Sequence, residues 1–321
     1  MKRKLYLTLF AIIALIGLFI SLAPKGGNSA GTYQHNEGVV FGTLYHIKYL
    51  YDKDLQAEIE AELARVDASL SMFNPQSTIS KINRNETDKA DEMLSEVLKF
   101  SYKIYEATDG AFDPTVAPLV NAWGFGFKNG QLPDSAQVDS LRTLVGLSHI
   151  HLDGNIITKD NPLSTLDFSA IAKGYGVDRV AQLLRNHDIK DFMVEIGGEI
   201  VTEGVNEKGE IWHIGINKPD DDSTSTNNEL QEVIELSGKA VATSGNYRNY
   251  YIQDGKKIAH TINPKTGYPA QQDILSSTVI APTCAEADAY ATAFMVLGTN
   301  GAKQVLKNKP QLETYFITND Q

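Results

Sequence analysis

The sequence has almost no cysteine and a shortage of basic residues, and each scarcity excludes a class of protein. Cys284 is the only cysteine among 321 residues, so neither an internal disulfide nor a zinc–thiolate cluster can form. Lysine and arginine number 29 against 40 aspartate and glutamate residues, giving a formal charge of −11. A nucleic-acid partner is not expected, because phosphate backbones are bound by basic surfaces. A small anionic ligand would need a local metal ion, lysine or helix N-terminus.

The common glycine motifs for nucleotides are also missing, since the chain contains neither "GxxxxGK[ST]" nor "GxGxxG". No internal repeat is present, and the one low-complexity tract is the acidic stretch "DDDSTSTNNEL". Segments with strand and helix patterns follow one another without a regular βαβ period. The sequence therefore predicts an α+β fold with mixed sheets and packed helices rather than a doubly wound sheet.

The N-terminus has the pattern of a targeting segment. "MKRK" precedes an uncharged apolar run, Leu5–Ala23, that as a helix would span about 28 Å, close to a bilayer core. A basic start followed by such a run is typical of an export signal or signal anchor. We expect residues 1–23 to be a signal peptide or membrane anchor, 24–36 a flexible linker and 37–321 a folded domain outside the cytoplasm.

The segment "PTCAEADAYATAFMVLG" predicts a buried helix that begins at Cys284, with Thr283 and Glu286 as a capping box. Asp288 and Thr292 are one turn apart on one face of this apolar helix. Two hard oxygen ligands in this arrangement suit Mg²⁺ or Ca²⁺. The alternative is structural, with Asp288 interacting favourably with the helix dipole and Thr292 bonding the backbone.

Three further segments contain polar residues typical of sites. In "LDFSAIAKGYGVD" we expect Asp167 to end a strand, and Lys173 to lie at a glycine-bearing turn into a helix, where phosphate can bind. His260 precedes the turn-rich "NPKTG", although a histidine at a strand end is more often structural. In "VEIGGEI" we expect Gly197 and Gly198 within a strand that a ligand or another backbone approaches closely.

Taken together, six segments of the chain resemble the ApbE family, the FAD:protein FMN transferases. They occur in the family's order and span nearly all of residues 37–319. Each segment alone is modest, but six in order are specific. The segments are "ATDGAFDPTVAPLVNAWGFG", "LDFSAIAKGYGVD", "IGGEI", "TSGNYRNYY", "HTINPKTG" and "CAEADAYATAFMVLG".

The resemblance implies an ApbE-like α+β fold and a Mg²⁺-dependent transferase. Such enzymes cleave FAD, their substrate, and attach the FMN half through a phosphoester to a threonine of a partner protein, releasing AMP. The partners it implies are flavin-carrying subunits of membrane electron-transfer complexes. It also implies an exported protein on the periplasmic side of the inner membrane, either anchored by the N-terminal segment or soluble after its cleavage.

The resemblance also implies roles for individual residues. Asp288 and Thr292 match the side-chain metal ligands. Ala170 matches the position whose backbone carbonyl is the remaining metal ligand supplied by the protein. His260 matches the residue expected to assist proton transfer, with Asp113 as the second candidate base. The positions matching contacts to FAD are Phe41, Phe73, Ala111, Phe112, Asp113, Asp167, Lys173 and Ile262, of which Phe41 and Phe73 would lie against the flavin.

The chain departs from the family pattern at two points. The loop that commonly reads "DPxTG" reads "NPKTG" here, so Asn263 supplies no carboxylate. The lipid-attachment cysteine of many members is missing. Two other functions stay open, an FAD pyrophosphatase that releases free FMN and AMP, and a non-catalytic FAD-binding protein of the cell envelope. A purely structural envelope protein does not explain the pair Asp288 and Thr292.

Overall fold

The computed structural model describes residues 31–126, 132–217, 230–246, 250–253 and 256–319. The helices in this part are α1 (Gln56–Leu70), α2 (Thr78–Asn83), α3 (Glu92–Ala107), α4 (Ala117–Ala122), α5 (Ser135–Arg142), α6 (Ala172–Asn186) and α7 (Cys284–Leu306). The strands are β1 (Thr32–Val40), β2 (Thr43–Tyr51), β3 (Ile150–Asp153), β4 (Ile156–Lys159), β5 (Phe192–Ile196), β6 (Glu199–Glu203), β7 (Trp212–Asn217), β8 (Leu230–Leu236), β9 (Lys239–Gly245), β10 (Tyr250–Gln253), β11 (Lys256–Ala259), β12 (Ile274–Ala281) and β13 (Glu313–Thr318).

A seven-stranded sheet in the order β1-β2-β5-β6-β9-β12-β13 is the framework of the fold. The pairings from β2 through β13 are antiparallel. Two-stranded ribbons β3–β4, β7–β8 and β10–β11 accompany it in the described part of the chain. The predicted α+β class, with mixed sheets and packed helices, is confirmed.

The β-branched and aromatic run "GVVFGTLYHIKYLY" predicts one strand, but the structure has two strands joined by a tight turn. Phe41 and Gly42 both have positive φ, 52° and 74°, and the chain reverses at them between β1 and β2. Successive left-handed residues fit the short turns of hairpins, because their twist matches that of the paired strands. β1 begins at Thr32, inside the stretch predicted as linker. Residues 1–23 lie outside the described residues, so the signal or anchor segment stays a prediction.

Two other sequence expectations about strands are wrong. Gly197 and Gly198, with φ of 63° and 100°, form the turn of the β5–β6 hairpin and do not lie within a strand. The segment before α6 is extended but does not join a sheet. Its Leu166 backbone N–H and C=O bond the side-chain amide of Asn83, and the Asp167 N–H bonds Pro114 O. The Asn83 side chain therefore supplies the hydrogen bonds that a neighbouring strand would otherwise provide to Leu166.

Helices α1 and α6 pack with β2 and β5 around one apolar cluster. Ile59 and Leu63 of α1 recur at helical spacing, and both are buried with Val180 of α6 and Val194 of β5. The apolar spacing in "DLQAEIEAELARVDASLSMF" predicts an amphipathic helix, and α1 confirms it. A second cluster joins α3 and α7 to β12. No helix in the described ranges is long and apolar enough to cross a membrane.

Helix α7 begins at Cys284, as predicted, and is held there by two side chains. Thr283 Oγ1 accepts a hydrogen bond from Glu286 N at 3.3 Å. The Asp178 carboxylate of α6 accepts the Cys284 and Ala285 N–H groups, both at 2.8 Å. These acceptors satisfy amide groups that have no partner inside the helix. The crossing is close, since a Cβ atom at Gly174 of α6 would lie 2.4 Å from Cys284 O.

We predict a pH-dependent effect of Asp178→Asn on stability. Burial raises the pKa of the Asp178 carboxyl from 3.8 to about 6, against the opposing effect of the two N–H groups. The folded state therefore binds this proton more tightly than the unfolded state. The resulting stabilisation is full below about pH 4 and is lost as the pH rises to about 6. A pKa that is higher by about two in the folded state corresponds to ~3 kcal/mol in the free energy of unfolding.

The measurement is urea unfolding of both proteins at pH 4 and pH 7. The free energy of unfolding of the natural protein minus that of Asp178→Asn should fall by ~3 kcal/mol between the two values. A difference that stays constant would contradict the assigned environment of Asp178.

Candidate functional site

Three neighbouring cavities lie in the region where α6, α7 and the end of β9 meet. The central cavity, of about 410 Å³, has Asp288, Thr292, Lys173, Glu199 and His260 in its wall. The Phe112 cavity, of about 180 Å³, is named after the aromatic residue in its wall. The Phe73 cavity, of about 420 Å³, is lined chiefly by apolar residues of the β1–β2 turn and the end of α1.

Every site residue predicted from the sequence lies in the wall of one of these cavities. The Phe112 cavity is lined by Ala111, Phe112, Asp113, Asp167, Ala170, Ile262, and also by His260 and Thr292. Phe41 and Phe73 line the Phe73 cavity, and Lys173 lines both this cavity and the central one. Ser169 belongs to all three walls. The fold thus brings together residues that are up to 251 positions apart in the sequence, from Phe41 to Thr292.

Asp288 and Thr292 face the central cavity from one turn of α7. Asp288 is only 4% exposed, and its Oδ2 accepts the Gly174 N–H at 3.1 Å. Burial raises the pKa of the Asp288 carboxyl, although the Lys173 ammonium and the Gly174 N–H act in the opposite direction. Thr292 Oγ1 lies 3.1 Å from Ser244 Oγ on β9. Its partner is therefore a side chain of the sheet and not the preceding turn of its own helix.

Lys173 and Glu199 form an ion pair in the same wall, with 2.5 Å between Nζ and Oε1. Burial alone would lower the pKa of Lys173, but the Glu199 and Asp288 carboxylates outweigh it and the pKa is raised. Burial, reinforced by the Asp288 carboxylate, raises the pKa of Glu199 to about 8. Two carboxyl groups thus share one ammonium in a poorly solvated place.

Asp113 and Asp167 are fixed in the Phe112 cavity by short local hydrogen bonds. Asp113 Oδ1 accepts the Thr115 hydroxyl at 2.6 Å and its N–H at 2.8 Å. Asp167 Oδ1 accepts the Ser169 hydroxyl at 2.5 Å and its N–H at 2.8 Å. Burial is the main cause that raises the pKa of both carboxyl groups. Each is therefore a candidate acceptor or donor for a bound ligand.

His260 follows β11 and lies in the walls of both the central and the Phe112 cavity. Its ring meets the Phe125 ring edge to face, with centroids 6.3 Å apart. No group of three or more histidine, cysteine, aspartate or glutamate residues within the described ranges is arranged to hold a metal ion. A cation here would therefore rely on the carboxylate, hydroxyl and carbonyl oxygens of α7 and the residues before α6.

Three residues in the wall of the central cavity were not predicted from the sequence: Glu199, Ser169 and Ser244. Glu199 lies in the quoted segment "IGGEI", but that segment was assigned to one continuous strand. With the turn at Gly197 and Gly198, Glu199 pairs directly with Ile196. Opposed residues in an antiparallel pair share a face, and Ile196 is fully buried. A glycine-pair turn before the glutamate was the signal that could have placed its side chain inside.

Comparison with known proteins agrees with the resemblance of the sequence. The sequence profile of the ApbE family matches residues 41–316. A Vibrio cholerae protein named FAD:protein FMN transferase is 38% identical over 295 residues, which cover 88% of this chain and 87% of that protein. A Haemophilus influenzae protein of the same name is 39% identical over 297 residues, covering 87% and 85%.

Solved structures resemble the fold over the same extent. The flavin transferase ApbE from Vibrio cholerae superimposes with a TM-score of 0.81 at 36% identity, covering 89% of this chain and 94% of that one. The apo form of the Pseudomonas stutzeri flavinyl transferase ApbE gives a TM-score of 0.82 at 31% identity, covering 92% and 93%. This chain is a transferase and belongs to the ApbE family.

Proposed function

We propose that this protein is a Mg²⁺-dependent FAD:protein FMN transferase that attaches FMN to a threonine of an acceptor protein and releases AMP. The observation that carries the proposal is the central cavity, where Asp288, Thr292 and Lys173 meet between two flanking cavities. The names of the relatives support FAD as the donor of the flavin. The threonine, the metal ion and AMP release are parts of the proposal.

The shape of the site suits a dinucleotide, because FAD consists of two ring systems joined by a pyrophosphate. The polar central cavity would receive the pyrophosphate and the flanking cavities the rings. Phe41 and Phe73 would offer aromatic faces to the flavin, and the exposed fraction of Phe73 is 66%. An exposed aromatic residue at a cavity mouth is typical of a binding surface.

The donor set at α7 fits a magnesium ion. Mg²⁺ takes oxygen ligands, uses few of them from the protein and keeps the others from phosphate and water. Asp288 and Thr292 would supply a carboxylate and a hydroxyl, and Ala170, before α6, its backbone carbonyl. The carboxyl groups of Asp288 and Glu199 face a single ammonium, that of Lys173, in a buried place. A divalent cation would offset that excess of negative charge.

The chain's own residues would carry the remaining steps. The metal, when bound, would withdraw negative charge from the phosphorus under attack and from the departing AMP. Lys173 would neutralise part of the charge on the pyrophosphate. A threonine hydroxyl is a poor nucleophile until a base takes its proton. His260 is the first candidate for that base because it lines the central cavity, and Asp113 is the second.

We expect Asp288→Ala to abolish FMN transfer while the protein still folds. The change removes the only carboxylate among the three proposed metal ligands, and it also removes an unfavourably buried charge. An assay of FMN transfer to an acceptor measures the activity, and circular dichroism shows whether the variant folds. Calorimetric titration with Mg²⁺ measures whether metal binding is lost. Full activity of the variant in excess Mg²⁺ would remove Asp288 from the metal site.

Thr292 offers a matched pair of control variants for this experiment. Thr292→Val keeps the shape of the side chain but loses the hydroxyl, so Mg²⁺ affinity should fall. Thr292→Ser keeps the hydroxyl, so affinity should stay near that of the natural protein. Equal Mg²⁺ affinity in the two variants would show that the hydroxyl is not a ligand.

His260→Ala should lower the turnover number more than the affinity for FAD. General-base assistance typically contributes a factor of about 10² to 10⁴ to the rate, whereas the proposed role requires no contact with the unreacted dinucleotide. Single-turnover transfer rates and FAD fluorescence quenching separate the two quantities. An unchanged turnover number would exclude His260, and Asp113→Asn would then test the second candidate.

The direct test of the function is incubation with FAD and Mg²⁺, with and without an acceptor protein. Mass spectrometry should find FMN added to an acceptor threonine, together with free AMP. Free FMN and AMP in equal amounts, whether or not the acceptor is present, would identify a pyrophosphatase. Stable FAD binding without any AMP would identify a non-catalytic flavin-binding protein.

A further inference from the structure

Glu199 is a buried acid at the start of β6, and the roles implied for the other site residues do not use it. It is 3% exposed, and the turn at Gly197 and Gly198 sets its register opposite Ile196. Its Oε1 contacts Lys173 Nζ at 2.5 Å. Its Oε2 is buried and has no hydrogen-bond partner among the described residues. Its only polar side-chain contact in that part of the chain is thus Lys173.

This arrangement is unfavourable as a purely structural element. A buried carboxylate oxygen without a partner keeps its desolvation penalty, and a second carboxyl group, that of Asp288, acts on the same ammonium. A neutral side chain of similar size at position 199 would avoid this penalty. Buried charges that reduce stability are often found at functional sites, where they fix a group needed for binding or chemistry.

The environment of Lys173 indicates what that function is. The charged groups that face its ammonium are Glu199 from β6 and Asp288 from α7, and the Cys284 thiol of α7 has a weaker influence. If Asp288 binds a divalent cation, its negative charge no longer acts fully on Lys173. Glu199, which contacts the ammonium directly, would then still hold it against the wall of the cavity.

We propose that Glu199 is the positioning residue of this site, whose carboxylate holds the Lys173 ammonium in place to receive the substrate's phosphates. The inference rests on the proposed function, in which Lys173 meets the pyrophosphate of FAD. Glu199 acts through Lys173 and does not itself contact the phosphates, because two anions would repel each other there. Its loss would therefore weaken binding of the dinucleotide.

The test compares Glu199→Gln, Lys173→Met, the double variant and the natural protein. The dissociation constant for FAD is measured with Mg²⁺ by fluorescence quenching at one fixed pH, and the melting temperature is measured without metal. Glu199→Gln should weaken FAD binding by about tenfold, the order of effect expected when a charged partner is lost.

Two further readouts separate positioning from a structural role. The melting temperature of Glu199→Gln should not fall, because Asp288 remains beside Lys173 and a buried charge has been removed. The double variant should bind FAD no more weakly than Lys173→Met, since the two residues act as one unit. Glu203→Gln is the control, because Glu203 lies on the same strand and pairs with Arg185 at 2.7 Å, outside the three cavities.

A lower melting temperature in Glu199→Gln, with its FAD affinity unchanged, would overturn the proposal. Additive losses in the double variant would overturn it as well, because they would show independent roles. Failure of the natural protein to bind FAD would instead overturn the proposed function. Weakened binding in Lys173→Met with natural behaviour in Glu199→Gln would remove only the role of Glu199.

Discussion

The close crossing of α6 and α7 is the constraint on which the site depends. Gly174 allows the Cys284 carbonyl to approach where a Cβ atom would not fit, and its N–H bonds Asp288. Asp178, one turn further along α6, accepts the first N–H groups of α7. These contacts fix α7 relative to α6, and therefore fix Asp288 relative to Lys173. A larger residue at position 174 would separate a proposed metal ligand from the cation that shares its cavity.

The site combines groups that are individually unfavourable in a protein interior. Asp288 and Glu199 are both buried acids, and within the described ranges the Lys173 ammonium is the cation that balances them directly. Such a cluster has a surplus of negative charge, which a bound cation would offset. The bound cation would in turn attract the phosphates of the substrate. The acidic protein as a whole, with a formal charge of −11, would otherwise repel a dinucleotide. A locally bound cation would thus allow this acidic protein to bind the anionic dinucleotide that the proposed function requires.

The sequence predicted the features that depend on short spacing along the chain. The start of α7 and the shared face of Asp288 and Thr292 follow from helical periodicity and a capping residue, so they could be read directly. The turn at Phe41 could not, because an aromatic residue seldom adopts a positive φ. The burial of Glu199 depends on a hairpin register, and the extended run before α6 depends on Asn83, which is 83 positions away from Leu166.

The most direct test is a crystal structure of this protein with FAD and Mg²⁺. We expect a metal ion bound to an Asp288 carboxylate oxygen and to Thr292 Oγ1, with the pyrophosphate of FAD beside Lys173. A metal ion located elsewhere, or a pyrophosphate bound away from α7, would contradict it.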